Sequence, residues 1–334
     1  MAFFDRMKHS IYIFLLSIFL FSCHSGTRKT ESVTEHVLTV TVEPQRFFLE
    51  QLVGDAYTVQ TLLPPGATPE TYEPPPSVMI AMGKSLLYFK VGALGFENAW
   101  SQRLAANYPD IRIVDCSKGV ELMREAGHHH PDEAAHPDNA AGAEAGVSGL
   151  PKVLPFDVRH EAPDPHIWSS PRTAKIMVEN MYEALAESDP DNRERFRTGY
   201  EGLLEMLQRT DSLIRLRLAS APSHAFMIYH PALGYFARDY GLLQYSIEFE
   251  GKKPSPAQIR RSVDLARREK IHTVFIQRGF DMKNAEVIAE EIGAELFEIN
   301  PLGYEWEEEL LRIADILSRH DVNHPEKGER EGKR

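Results

Sequence analysis

The sequence predicts an α/β protein whose parallel strands fall into two similar lobes joined by one long helix, and three observations carry that expectation. Apolar, often β-branched runs alternate with helical segments through both halves of the chain, which argues for βαβ units and parallel sheets. The 334 residues leave enough chain for two domains, at a prior of about 150 residues each. Between the two alternating halves runs a single apolar stripe of helical spacing, from Asp189-Pro190 to about Ala219.

The chain opens with Arg6 and Lys8 and then an uninterrupted apolar run from Ile11 to Phe21. A membrane-spanning helix needs about 20 apolar residues, so this run with its basic flank reads as a secretory signal. It ends in Leu20-Phe21-Ser22-Cys23, which resembles the bacterial lipobox, in which the cysteine thiol is diacylated and becomes the new N-terminus. The other reading is an ordinary signal peptide followed by an incidental cysteine. Residues 1–23 are expected to be the signal peptide, Cys23 the lipidation site, and 24–36 a polar tether.

In the first half, Val37 to Val42 reads as a strand and Phe47 to Val53 as a helix closed by Gly54. Thr58 to Leu63 follows as a strand stopped by Pro64-Pro65-Gly66, then a short helix at Pro76 to Met82 and strands at Ser85 to Val91 and Ile111 to Val114. Between about Gly127 and Gly149 the chain carries His128-His129-His130, His136, alanines, glycines and acidic residues without apolar periodicity, and a mobile loop is expected there. Ser170-Pro171 is a cap followed by a first-turn proline, and Ile176, Met177, Met181 and Leu185 then recur at helical spacing.

The stripe after Asp189-Pro190 carries Phe196, Tyr200, Leu203, Leu207, Ile214 and Leu218, and at 1.5 Å per residue its helix would be about 45 Å long. It either connects two lobes or forms one long core helix. The last third repeats the pattern: strands at Ala225 to Tyr229, Ile271 to Gln277 and Leu296 to Ile299, and helices at Pro231 to Tyr240, Ser255 to Glu269 and Lys283 to Ile292. The expected layout is a first lobe at 36–188, the linking helix at 189–220, a second lobe at 221–320 and a disordered charged tail at 321–334.

Composition narrows the function. Hydrophobic residues make 43% and charged residues 26% of the chain, an ordinary globular balance. The formal net charge of −12 argues against a nucleic-acid surface, which needs a basic patch, and is compatible with attracting cations. Cys23 and Cys116 are the two cysteines, so a lipidated Cys23 leaves no disulfide framework and Cys116 reads as a small core or strand-end residue.

Three loops place potential ligands just after a strand or just before a helix, where parallel α/β sheets bind ligands. In Leu62-Leu63-Pro64-Pro65-Gly66-Ala67-Thr68-Pro69-Glu70-Thr71-Tyr72-Glu73-Pro74, stiff prolines either aim Glu70 or make a surface turn with solvated carboxylates. Asp164-Pro165-His166-Ile167-Trp168-Ser169-Ser170-Pro171 puts His166 ahead of a helix start, as a ligand or a satisfied structural residue. In Tyr229-His230-Pro231-Ala232-Leu233-Gly234-Tyr235-Phe236-Ala237, His230 stands at a strand's carboxyl end.

Together with the histidine-rich segment, these motifs resemble the solute-binding lipoproteins of zinc- and manganese-type ABC importers, over nearly the whole mature chain. The Asp164-Pro165-His166-Ile167-Trp168 run and the His230 segment are the specific parts; Tyr72-Glu73-Pro74, Pro254-Ser255-Pro256 and Pro301-Leu302 add to them. The resemblance implies two α/β lobes on a rigid backbone helix, with one metal ion in the cleft held by a ligand from each of four loops. Members of the family use histidine where this chain has His166 and His230, and imidazole suits Zn²⁺. Two positions depart from the pattern: Pro69-Glu70 stands where the family usually has Pro-His, and Asn300-Pro301-Leu302 where it usually has an aspartate before Pro-Leu. A carboxylate can bind zinc and suits manganese or iron somewhat better, whereas a neutral amide oxygen is a poor zinc ligand. The implied metal set is Glu70, His166, His230 and Asn300, with His128, His129, His130 and His136 as an auxiliary zinc-gathering loop or a variable linker.

The function this implies is an extracytoplasmic protein, not an enzyme, that binds a metal ion and delivers it to an ABC importer permease. The ion would be Zn²⁺, with Mn²⁺ or Fe²⁺ as alternatives. The expected form is a monomer on a lipid anchor, facing the periplasm, with no nucleic-acid partner. An envelope zinc-dependent hydrolase is the alternative class, since Glu70, His166 and His230 would match a three-ligand catalytic site. No His-Glu-x-x-His helix accompanies them. A receptor for a metal chelate or haem predicts aromatics and basic residues around a large pocket, and an adhesin role could accompany transport.

Overall fold

The computed structural model describes residues 36–64, 66–69, 72–124, 163–248 and 253–319. The expected signal peptide and tether, Cys23, Glu70, the His128, His129, His130 and His136 segment, and the charged tail lie outside the described residues. No helix among the described residues is long and apolar enough to cross a membrane.

The first lobe is built on the buried run Val37–Val40 (β1). Helix α1 (Glu43–Val53) starts four residues earlier than its apolar pattern predicts. Pro44 suits a first turn, and the Gln45 side chain accepts hydrogen bonds from the Thr41 and Val42 amides at 3.0 and 3.3 Å. Strand β2 (Thr58–Thr61), helix α2 (Pro76–Met82) and strand β3 (Ser85–Lys90) match the sequence reading to within two residues. Helix α3 (Gly95–Asn107), which has no clear apolar stripe, then leads to β4 (Arg112–Asp115). The sheet is fully parallel in the order β2-β1-β3-β4. Cys116, just past β4, is a buried free thiol, as a strand-end core residue should be.

Helix α4 (Pro171–Ser188) begins where Ser170 accepts the Arg172 amide at 3.2 Å. After a 3₁₀ turn at Pro190–Asn192, the long helix α5 (Arg193–Leu218) buries Phe196, Leu203, Met206, Leu207, Thr210 and Ile214. At 1.5 Å per residue it spans about 39 Å. It packs on α4 and α1 so closely that a Cβ on Gly199 would stand 2.4 Å from the Gln51 carbonyl oxygen.

The second lobe repeats the first: β5 (Ala225–Ile228), α6 (Gly234–Tyr240), β6 (Leu243–Ser246), α7 (Pro256–Arg268), β7 (Thr273–Gln277), α8 (Lys283–Ile292) and β8 (Glu295–Ile299). Its strand order, β6-β5-β7-β8, is that of the first sheet, again all parallel. Ser255 and Gln258 form a reciprocal capping box on α7, and α6 and α8 end at left-handed Gly241 and Gly293. Helix α6 starts at Gly234 rather than Pro231, because the chain first turns and sets His230 and Ala232 against the cleft.

The last helix, α9 (Trp306–Leu317), does not cover the second sheet alone. It packs on α5 and reaches back to α1: the Trp306 ring lies 4.9 Å from Phe48, and the Tyr304 hydroxyl donates to Glu50 at 2.7 Å. Arg209 pairs with Glu307 at 3.0 Å and Arg217 with Asp315 at 2.8 Å, both from α5. One apolar core therefore runs from Leu38 and Phe89 in the first sheet through Met177, Phe196 and Ile313 to Phe226, Phe275 and Ile299 in the second.

Candidate metal site

In the second sheet the chain leaves β5 for β6 on one side and returns to β7 on the other, so a crevice opens at the carboxyl ends of β5 and β7. His230 stands two residues past β5, in that crevice, 7% exposed. Loops of the first lobe face it. A single cleft is lined by Thr68 and Pro69 after β2, by His166, by His230, by Phe280 after β7 and by Asn300 after β8.

His166 is 3% exposed and ends an extended stretch just ahead of a 3₁₀ turn at Ile167–Ser169. Asp164 takes two hydrogen bonds from it through one oxygen, from the main-chain amide at 2.9 Å and from Nδ1 at 2.7 Å. Asp164 is itself held, since the Tyr235 hydroxyl of α6 donates to its carbonyl at 2.8 Å. On the other side, His230 donates from Nδ1 to Glu248, a carboxylate 4% exposed. Each imidazole thus has its Nδ1 occupied by a buried carboxylate, which directs the Nε2 lone pair into the cleft.

The two Nε2 atoms are 3.2 Å apart. Two lone pairs at that distance repel unless a cation lies between them, either a shared proton or a metal ion. A tetrahedral zinc with Zn–N near 2.05 Å holds its ligand nitrogens about 3.3 Å apart, so the spacing of this pair is close to that of two zinc ligands. Aromatic rings flank the pair: Phe280 lies parallel to the His230 ring at 5.8 Å, and Trp168 meets His166 edge-on at 5.2 Å.

Asn300 reaches the cleft from the end of β8, its amide donating to Glu309 at 2.6 Å. The next residue is tied across the lobes, because the Trp168 indole donates to the Pro301 carbonyl at 2.9 Å while the Trp306 indole donates to the Trp168 carbonyl at 2.6 Å. Among the described residues, no group of three or more His, Cys, Asp or Glu side chains is arranged around a common point. The structure therefore brings together His166, His230 and Asn300 of the sequence-derived set; Glu70 and the histidine-rich segment lie outside the described residues.

A family model described as zinc-uptake complex component A, periplasmic (ZnuA), matches residues 38–315. The chain belongs to this family. A high-affinity zinc uptake system protein from Bacillus subtilis is 27% identical over 285 residues, covering 84% of this chain and 82% of its own. The zinc-binding lipoprotein AdcA of Streptococcus pneumoniae is 24% identical, and the match covers 92% of this chain but only 58% of that longer protein. Among solved structures, a ZnuA crystal structure superposes with a TM-score of 0.71 at 30% identity, covering 85% of this chain and 98% of that one. A zinc-bound ZnuA variant lacking residues 138–173 of its own chain superposes with a TM-score of 0.73, also at 30% identity.

Sequence reasoning missed Glu248, Gln277 and Phe280 as parts of the site. Glu248 follows β6, an edge strand whose mixed run Leu243-Gln244-Tyr245-Ser246 gives little period-2 signal. The signal that could have found Gln277 is its place at the carboxyl end of a strand, where parallel sheets bind ligands.

Proposed function

We propose that this protein captures a zinc ion outside the cytoplasmic membrane and delivers it to an ABC importer permease, without catalysing a reaction. The observation that carries the proposal is the pair of buried Nε2 atoms at 3.2 Å, each backed by a carboxylate. The printed names of the similar ZnuA and AdcA proteins support zinc as the cargo. His166 and His230 are the ligands this reading relies on, with Asn300 and Glu70 supplying the remaining positions alone or with water. Glu70 would contribute the one anion of the set and so favour a divalent ion. Manganese or iron in the same role remains the second reading, because an imidazole–carboxylate–amide set is harder than the histidine-rich pattern of the family.

The leader and Cys23 support a lipid-anchored envelope protein, which on this reading works as a monomer beside its permease. The His128–His136 segment would gather extra zinc. Transport needs binding and release only, and α5 with the Trp168 and Trp306 ties should keep lobe movements small.

The test is metal content and competitive zinc titration of the purified protein, with His166→Ala and His230→Ala beside it. One tightly held ion per chain, lost in both variants, is the expected result. Stoichiometric binding indifferent to both changes would remove the cleft from the proposal, and turnover of an envelope substrate would move it to the hydrolase class.

A further inference from the structure

Strand β7 lies between β5 and β8, the two strands that lead into His230 and Asn300, yet it delivers no candidate ligand of its own. What it delivers is Gln277, its last residue, 7% exposed and paired in register with Ile299, the residue before Asn300. The Gln277 amide binds the main chain of His230 through both its oxygen and its nitrogen. Its Oε1 accepts the His230 N–H at 3.2 Å and its Nε2 donates to the His230 carbonyl at 2.5 Å.

We propose that Gln277 is the positioning residue for His230, fixing the backbone from which that imidazole projects into the cleft. This rests on the reading of His230 as a metal ligand. His230 leaves β5 into a turn, where no ladder partner holds both of its main-chain groups. A two-point amide clasp removes the rotation that a single hydrogen bond would allow. The ring is then located from two further directions, by Glu248 at Nδ1 and by Phe280 against its face. The amide suits the role: a carboxylate in its place would set an oxygen against the His230 carbonyl, and an apolar side chain would remove both contacts, leaving the carbonyl held by the Ala232 amide at 2.7 Å. The position is also the mechanical centre of the site, since Arg278 donates from its amide to the Ile299 carbonyl at 2.9 Å and so links the clasp to the Asn300 loop.

The experiment is zinc affinity of the full-length protein by competition, for wild type, Gln277→Met, Gln277→Asn and Asn180→Leu. Asn180 is the control: it too donates twice to main-chain carbonyls, of Cys116 and Lys118 at 3.0 and 2.8 Å, but on the first lobe away from the cleft. Loss of an outer partner of a metal ligand weakens binding about 10- to 100-fold, and that loss is expected for Gln277→Met, with a smaller loss for Gln277→Asn, whose amide is one methylene short. Asn180→Leu should lower thermal stability and leave affinity unchanged. Wild-type affinity in the Gln277 variants, or an equal loss in Asn180→Leu, overturns the inference; if Gln277→Met does not fold, Gln277→Asn decides by the same criterion. Normal binding in Gln277 variants with loss in His166→Ala refutes this inference alone, whereas normal binding in His166→Ala refutes the metal site itself.

Discussion

Two imidazole nitrogens held 3.2 Å apart, each fixed from behind by a carboxylate, are the reason we propose a cation for the cleft. On that proposal, Asn300 would tune the affinity. Asn300 is neutral, and its amide oxygen donates less charge to a zinc ion than a carboxylate would. Its main chain is already anchored to Glu309 and its neighbour to Trp168, so exchanging the side chain should not move the loop. Asn300→Asp is therefore expected to tighten zinc binding on the order of tenfold, about 1.4 kcal/mol, in a competition titration. An unchanged constant would mean that this side chain does not face the ion. His166 and His230 were legible from local sequence because each stands in a compact motif next to an element boundary. Their carboxylate partners differ in this respect: Asp164 is two residues from His166 and visible beside it, while Glu248 is 18 residues from His230 and meets it only through the pairing of β5 with β6.

At the scale of elements, two glycines on α5 separate packing from propensity. A Cβ on Gly199 would meet the Gln51 carbonyl oxygen at 2.4 Å and the Leu52 Cα at 2.9 Å, both main-chain atoms of the neighbouring helix. Gly199→Ala must push α1 and α5 apart and should destabilise the protein by about 1–3 kcal/mol in denaturant unfolding. Gly202, one turn on, has nothing within 4 Å of the same point. Gly202→Ala should instead stabilise by up to about 1 kcal/mol through helix propensity. Equal effects at the two sites would refute the close approach of the helices. Most elements could be read from the chain for physical reasons that are local: proline at first turns, glycine at helix ends, β-branched runs between them. Three could not be read so directly or were passed over. Helix α3 buries Glu97 to accept the Val91 and Gly92 amides, both at 2.7 Å, so its inward face is partly polar and shows no stripe. Strand β6 is a half-exposed edge, and α9 carries a plain pattern at Trp306, Leu310, Ile313, Ala314 and Leu317 that marks it as helical.

At the scale of the whole molecule, the parallel sheets and the long helix followed from alternation and periodicity, but the strand order and the path of α9 did not. Tyr304 and Glu50 are 254 residues apart, and nothing local to either announces the other. That return makes one apolar core continuous between the two sheets, beside a smaller cluster in each lobe. Heat unfolding followed by calorimetry should accordingly give a single transition with equal calorimetric and van't Hoff enthalpies. Two resolved transitions would show that the lobes hold together independently and that the shared core contributes little.

The crossed indoles of Trp168 and Trp306 have a practical consequence. The chain has three tryptophans, and these two are buried in one cluster beside His166, with Trp100 on α3 of the first lobe. Light emission from that cluster depends on the electric field and rigidity around the Trp168 ring, 5.2 Å from an imidazole that is expected to accept a dication. Filling the cleft should therefore change the protein's own fluorescence in a saturable way, and the change should vanish in Trp168→Phe. The protein would then be its own label-free gauge of zinc, readable in a cuvette.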